Sequence, residues 1–293
     1  MTSLPFGRII TAMVTPFAPD GSLNLDEARR LAAHLVDQQG NDALVINGTT
    51  GESPTTSDAE KRALLEAVVA EVGDRAKVIA GVGTFDTAHT IELANQAEQA
   101  GVDGLLVVTP YYSRPPQDAV ADHFLTVAEA TTTPIVIYDI PHRTGIPVET
   151  PTLIQIAAHP RIVAVKDAKG NPVASSQVIA ATGLAYYAGD DAMTLPLLSV
   201  GGVGVVGTST HFTGRGTRAL VEAYLAGDVQ RSLEVHQELL PVYQGVFATQ
   251  GCLLVKAGLA ARGFVPGGVR KPLLPASPAQ AATFVALLDQ AGL

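Results

Sequence analysis

The sequence predicts an α/β fold, a (β/α)8 barrel followed by a helical C-terminal extension. Short apolar segments alternate eight times with amphipathic ones, at a repeat of roughly 20 to 35 residues. The apolar segments are rich in Val, Ile and Ala without polar alternation, which is typical of parallel strands covered on both faces. An open nucleotide-binding sheet would need a glycine-rich turn after the first strand, and Val14-Thr15-Pro16-Phe17 is not one.

The predicted elements follow one another in a regular order. The strands are 9–14, 43–47, 78–82, 104–108, 135–138, 162–166, 185–188 and 204–206. The helices between them are 25–39, 58–72, 87–100, 118–130, 152–158, 172–182, 192–200 and 216–226. Three further helices, at 229–247, 252–262 and 278–291, have no strands between them. We therefore expect a barrel domain over residues 1–227 and a helical region over 228–293.

Capping residues define several helix ends. Asn24 is a candidate N-cap of the first helix, and Gly40 is placed to end it. Ser57 and Glu60 have the spacing of a capping box at the start of the second helix, and Gly101 follows the third.

Composition narrows the classes of partner and compartment. A net charge of −9 and a pI near 5.2 argue against nucleic acid or an anionic membrane as a partner. No apolar stretch reaches the roughly 18 residues that a membrane span needs. The single cysteine, Cys252, fits a reducing compartment, and residues 1–8 do not resemble a signal peptide. We expect a cytoplasmic enzyme.

The most informative residue is Lys166, which ends the sixth predicted strand. Chemistry in such barrels takes place at the carboxyl ends of the strands. A buried lysine that loses its proton is a nucleophile for carbonyl carbons. The ordinary alternatives are a lysine that extends to solvent, or one that pairs with Asp167 or Asp139.

Other polar residues lie at the same predicted rim. Thr49 and Thr50 stand between two glycines, where hydroxyls and backbone amides can surround a small carboxylate. Tyr138 ends the neighbouring strand and can transfer protons, and Arg143 can bind a second carboxylate. Each has an ordinary explanation alone: a turn, core packing or a surface charge. Their recurrence at successive strand ends favours a site.

These residues form a recognisable set of motifs. They are Gly48-Thr49-Thr50-Gly51-Glu52, Thr109-Pro110-Tyr111-Tyr112, Tyr138-Asp139-Ile140-Pro141, Arg143-Thr144-Gly145, Val165-Lys166-Asp167 and Gly189-Asp190-Asp191. In this order, over essentially the whole chain, they resemble the dihydrodipicolinate synthase family of class I pyruvate aldolases. N-acetylneuraminate lyase belongs to the same wider family.

The resemblance implies catalytic roles for four residues. Lys166 would form a Schiff base with pyruvate, and Tyr138 would act as the general acid and base. Thr49 and Tyr112 would complete a proton relay, with Tyr112 supplied by a neighbouring subunit.

Four further residues would bind the substrates. Thr50, Val206 and the main chain of Gly189 would hold pyruvate, while Arg143 would bind the carboxylate of L-aspartate 4-semialdehyde. The implied product is 4-hydroxy-tetrahydrodipicolinate, in lysine and diaminopimelate synthesis. The implied assembly is a homotetramer.

No metal or cofactor is expected, because an iminium ion is itself the electron sink, and none of the seven histidines forms a His-X-His pair. The main alternative is a sibling aldolase that acts on a sugar acid such as N-acetylneuraminate, but such enzymes tend to lack the Arg143 motif. A metal-dependent barrel hydrolase would carry His-X-His after the first strand. A catalytically inactive barrel should have lost Lys166, Tyr138 or a relay hydroxyl.

Two departures from the family pattern lie beside the site. Asp139 and His142 stand where many relatives have asparagine and serine. Family members that lysine inhibits often carry histidines where this chain has Asp58 and Lys61. We therefore expect weak or absent inhibition by lysine.

Overall fold

The computed structural model describes residues 4–293. The expectation that residues 1–8 are not a signal peptide involves residues 1–3, which lie outside the described residues. Across 4–293, no helix is both long and apolar enough to cross a membrane.

Eight parallel strands form a closed barrel in which each strand pairs with the next in chain order and the eighth pairs with the first. They are β1 (Ile9–Ala12), β2 (Ala43–Ile46), β3 (Lys77–Gly81), β4 (Gly104–Val108), β5 (Ile135–Asp139), β6 (Ile162–Asp167), β7 (Ala185–Ala188) and β8 (Gly204–Gly207). The predicted barrel is therefore confirmed. The first predicted strand was too long by two residues, because the Val14 amide donates to His211 Nε2 at 3.2 Å instead of to a strand.

The helices surround the barrel and continue beyond it. They are α1 (Leu25–Asp37), α2 (Asp58–Val72), α3 (Thr87–Gln99), α4 (Gln117–Glu129), α5 (Pro141–Thr144), α6 (Thr150–Ile156), α7 (Pro172–Ala181), α8 (Thr194–Leu198), α9 (Thr210–Leu225), α10 (Val229–Gly245), α11 (Gly251–Ala261) and α12 (Pro278–Gln290). Asn24 caps α1, and Ser57 with Glu60 forms the expected capping box of α2. The short helix α5 was not predicted, since four residues are too few for a periodic pattern.

Side-chain alternation within the strands produces two apolar cores. In β5 and β6, Ile137 and Val165 face the surrounding helices, whereas Val136 and Ala164 fill the barrel interior. Both faces of each strand are thus buried, which explains why the sequence shows no polar alternation. Lys166 follows Ala164 by two residues, so the same alternation directs it into the barrel mouth.

An ion pair and a hydrogen bond join the C-terminal helical region to the loop between β2 and α2. Glu52, in this loop, accepts from Lys256 Nζ on α11 at 2.7 Å and from the Arg270 amide at 2.9 Å. Lys256 also donates to the Gly268 carbonyl at 2.6 Å. Both charges are buried, so each ion needs the other. The predicted division at residues 227 and 228 falls in the turn between α9 and α10, and it stays a prediction.

Candidate active site

A cavity of about 760 Å³ opens at the carboxyl ends of the strands. Six of the eight residues that the sequence nominated line it: Thr49, Thr50, Tyr138, Arg143, Lys166 and Gly189. They come from the loops and strand ends of β2, β5, β6 and β7, and the fold brings them together. Side chains of α10 and the segment after it complete the wall.

Lys166 is buried in the wall of this cavity, with 5% of its surface exposed. Burial lowers the pKa of its amine to about 8, because the ammonium form has lost its hydration. The carboxylate of Asp191 acts in the opposite direction and Arg143 acts in the same direction as burial. A substantial fraction of Lys166 is therefore neutral near physiological pH.

Asp139 and Asp167 are not the partners of Lys166. They occupy matching positions on β5 and β6, one residue after Tyr138 and Lys166, so their side chains face away from the barrel interior. Asp139 contacts Lys169, and Asp167 accepts from the Ser175 hydroxyl. The ordinary pairing explanation for Lys166 is excluded by this geometry.

Tyr138 lies directly beside Lys166. The two residues occupy matching positions on neighbouring strands, and Lys166 Nζ is 4.2 Å from the centroid of the Tyr138 ring. Burial raises the pKa of the Tyr138 phenol to about 12, while the nearby Arg143 and the Thr49 hydroxyl lower it. The phenol is therefore protonated at neutral pH and can donate its proton.

The loop that carries Thr49 and Thr50 is a tight turn closed by its own backbone. The Gly51 amide donates to the Gly48 carbonyl at 3.0 Å, and Thr15 Oγ1 donates to the Gly51 carbonyl at 2.6 Å. Thr50 Oγ1 lies 3.3 Å from Thr208 Oγ1, which follows β8. Two hydroxyls from separate loops thus meet at one side of the cavity.

Arg143 lies on the short helix α5, just after the end of β5. Pro141 begins this helix, and Gly145 ends it with a φ of +82°, a conformation that favours glycine. Arg143 Nη2 donates to Gln250 Oε1 at 3.1 Å, and the guanidinium is otherwise exposed at the cavity. It is therefore available to an anionic ligand.

The two remaining nominated residues do not line the cavity of their own chain. Tyr112 is 92% exposed, with a φ of +71°. Val206 is buried in the barrel interior, in the same apolar cluster as Tyr138. His142, one of the departures from the family pattern, is exposed at the cavity edge.

The sequence reasoning did not nominate several polar residues that shape the site. Asp191 is fully buried and accepts from the Thr208 amide at 3.0 Å, the Ser209 amide at 2.9 Å and Ser209 Oγ at 2.6 Å. A row of hydroxyls continues from Ser209 through Thr213 and Thr217 to Tyr243, a residue of α10 that lines the cavity. Only the Gly189-Asp190-Asp191 motif gave a signal for any of them.

Comparison with known proteins gives concordant matches over the whole chain. The family model described as the Dihydrodipicolinate synthetase family matches residues 5–291. The 4-hydroxy-tetrahydrodipicolinate synthase of Cutibacterium acnes is 58% identical over 293 residues and covers 100% of both chains. That of Acidothermus cellulolyticus is 60% identical over 278 residues, 95% of this chain and 90% of the relative.

A solved structure agrees equally well with the fold. The crystal structure of the enzyme DHDPS from Cyanidioschyzon merolae with lysine bound superimposes with a TM-score of 0.97 at 37% identity, over 99% of this chain and 100% of the other.

Proposed function

Since the chain belongs to the Dihydrodipicolinate synthetase family, we propose that it condenses pyruvate with L-aspartate 4-semialdehyde to give 4-hydroxy-tetrahydrodipicolinate. The single observation that carries the proposal is a buried amine, Lys166, beside a phenol at a barrel mouth. Such an enzyme is a lyase that acts through a Schiff base, in lysine and diaminopimelate synthesis. The sugar-acid alternative is not favoured, because both relatives compared above are named as this synthase.

The reaction begins with the amine of Lys166. Neutral Nζ attacks the carbonyl carbon of pyruvate, and loss of water gives an imine. The protonated imine withdraws electrons from the methyl carbon, which loses a proton to give the enamine. The enamine carbon then attacks the aldehyde carbon of the second substrate. The amino group of that substrate finally attacks the imine carbon, which closes the ring and releases Lys166.

Tyr138 is suited to the proton transfers of these steps. Its pKa, raised to about 12 by burial, keeps a proton on the phenol for delivery to the oxygen that leaves pyruvate as water. The Thr49 hydroxyl beside it offers a path for the return of the proton, and Tyr112 of a second subunit would extend this relay. A phenol next to the imine nitrogen can serve both acid and base steps.

Separate groups of the cavity wall would bind the two substrates. The Thr50 hydroxyl and the main chain at Gly189 would hold the pyruvate carboxylate, and Val206 would pack beneath it. Arg143, exposed and directed by Gln250, would bind the carboxylate of the semialdehyde. A local cation is needed because the net charge of the chain, −9, does not attract anions.

Borohydride reduction in the presence of pyruvate tests the central step. We expect a pyruvyl adduct on the peptide that contains Lys166, identified by mass spectrometry of the intact protein and of its peptides. Lys166→Ala should show no adduct while it remains folded by circular dichroism. An adduct on another lysine, or none in the wild-type protein, would refute the proposed function.

Removal of Arg143 should separate the two substrates. In Arg143→Ala, we expect kcat/KM for the semialdehyde to fall about 10- to 100-fold through loss of a charged hydrogen bond. Imine formation with pyruvate should fall less, because Arg143 acts on it only through the pKa of Lys166. Arg62→Ala, which removes an exposed guanidinium on α2, is the matched control. Equal losses in both steps would contradict this assignment.

We also propose that the active assembly is a homotetramer in which Tyr112 serves the site of a neighbouring subunit. The side chain is almost fully exposed at the same end of the barrel as the cavity. Phe85 and Tyr111 stack edge to face nearby at 5.4 Å between ring centroids, and Phe85 is also exposed. An apolar, aromatic surface of this kind suits contact between subunits.

Mixed assemblies test the origin of Tyr112. Lys166→Ala and Tyr112→Phe chains, each with low activity alone, should regain activity when they are co-assembled, because one hybrid site then contains both native groups. Light scattering on the wild-type protein measures the assembly. A monomer at assay concentration, or no regain in verified hybrids, would count against the proposal.

Inhibition by L-lysine should be weak or absent. Asp58 is paired with His89 Nε2 at 2.9 Å, and the Lys61 amine is buried against the Thr56 carbonyl. A cationic effector would therefore meet Lys61 and would find the Asp58 carboxylate already occupied. Sub-millimolar inhibition in an initial-rate assay would show that this expectation is wrong.

A further inference from the structure

A buried ion pair lies on the outer face of β5 and β6, the strands that carry Tyr138 and Lys166. Lys169 Nζ is 3.0 Å from Asp139 Oδ2, and the two side chains are 9% and 0% exposed. Asp139 follows Tyr138 at the end of β5, and Lys169 lies three residues after Lys166, in the loop before α7. The pair therefore joins the strand end that carries the phenol to the loop that follows the amine.

The same two side chains also bind the segment that follows Arg143. The Val148 amide donates to Asp139 Oδ1 at 3.1 Å, and Lys169 Nζ donates to the Val148 carbonyl at 3.2 Å. The Ala168 amide donates to the Asp139 carbonyl at 2.9 Å. Three segments, each adjoining one functional side chain, thus meet at one ion pair.

Both charged groups are engaged by protein partners. Asp139 faces away from the barrel interior, and the ammonium of Lys169 is engaged with Asp139 and Val148 although its side chain contributes to the cavity wall. A role for the pair in the reaction must then be indirect, through the positions of Lys166, Tyr138 and Arg143. A small displacement of reacting groups is enough to slow an enzyme severely.

The surroundings of Asp139 raise the pKa of its carboxyl group, so the Asp139–Lys169 pair depends on pH. Asp167 on β6 adds a second carboxylate, which itself accepts from the Lys169 amide at 2.9 Å, and the Tyr186 hydroxyl of β7 lies near both carboxylates. Burial raises the pKa of Asp139 to about 6, Asp167 acts in the same direction and Lys169 opposes them. Below about pH 6, protonation of Asp139 removes its half of the pair.

We propose that the Asp139–Lys169 ion pair is a positioning device that holds Lys166, Tyr138 and Arg143 at fixed relative positions. Imine formation between Lys166 and pyruvate should then slow whenever the pair is broken. This inference rests on the proposed function. Asp139 and Lys169 are positioning residues, since they act through the segments that carry Lys166, Tyr138 and Arg143.

The test measures the rate of imine formation with pyruvate in the full-length protein, by rapid mixing followed by borohydride and intact mass analysis. Asp139→Asn keeps the shape and an acceptor for the Val148 amide but removes the charge. Lys169→Gln removes the other partner. We expect each to slow imine formation at pH 7.5 by about 10- to 100-fold. The double variant should be no slower than the worse single one, because both changes break the same interaction.

The pH profile distinguishes positioning from a general loss of stability. In the wild-type protein, the logarithm of the rate should rise with slope one below about pH 8, where Lys166 is protonated, and steepen toward two below about pH 6. Asp139→Asn should keep slope one throughout, and its rates should converge with those of the wild type at the acid end. Asp103→Asn, which breaks the pair with Lys77 at the opposite end of the barrel, should leave rate and profile unchanged.

The following results would overturn either the role of the ion pair or the proposed function. A wild-type profile without the second slope, or Asp139→Asn rates equal to the wild type at pH 7.5, overturns the inference. If the variants do not fold, the wild-type profile alone decides. If the wild-type protein forms no adduct at all, the proposed function fails instead.

Discussion

The site depends on the removal of one amine from water. Lys166 follows four apolar residues of β6, and its burial in the barrel makes the ammonium form less favourable than it is in water. The buried carboxylate of Asp191 opposes this effect, and the pKa of Lys166 is about 8. The other side chains of the site can contribute to the reaction only if Lys166 can lose its proton.

Several polar groups keep the neighbourhood of that amine in place. Asp191 is anchored by two amides and the Ser209 hydroxyl, so its charge is fixed in direction and distance. Buried polar groups must be satisfied in this way, because an unpaired one destabilises the fold. The hydrogen bonds of Asp191 fix its orientation, and catalysis benefits from polar groups that are held in place in advance.

The C-terminal region takes part in the site instead of lying beside it. Tyr243 lines the cavity from α10, and Gln250 accepts from Arg143 at the start of α11. The Lys256–Glu52 pair connects α11 to the loop that carries Thr49 and Thr50. Substitutions in this region can therefore affect the binding of both substrates. The region contacts the loop that carries Thr49 and Thr50 through Glu52, and it contacts Arg143 through Gln250.

The sequence by itself determined the eight strands, the order of the helices other than the four-residue α5, and the place of Lys166. Apolar runs and helix caps can be read from it because they depend on residues that are close together in the chain. It also nominated Tyr138 and the Thr49–Thr50 turn, since the ends of parallel strands meet at one rim. Only the tertiary structure decided which carboxylates face Lys166: Asp139 and Asp167 are near it in sequence but on the other side of the sheet, and Asp191 is far in sequence but acts on its charge. It alone revealed the contacts of Gln250, Lys256 and Lys169, because partners separated by many residues leave no periodic trace in the chain.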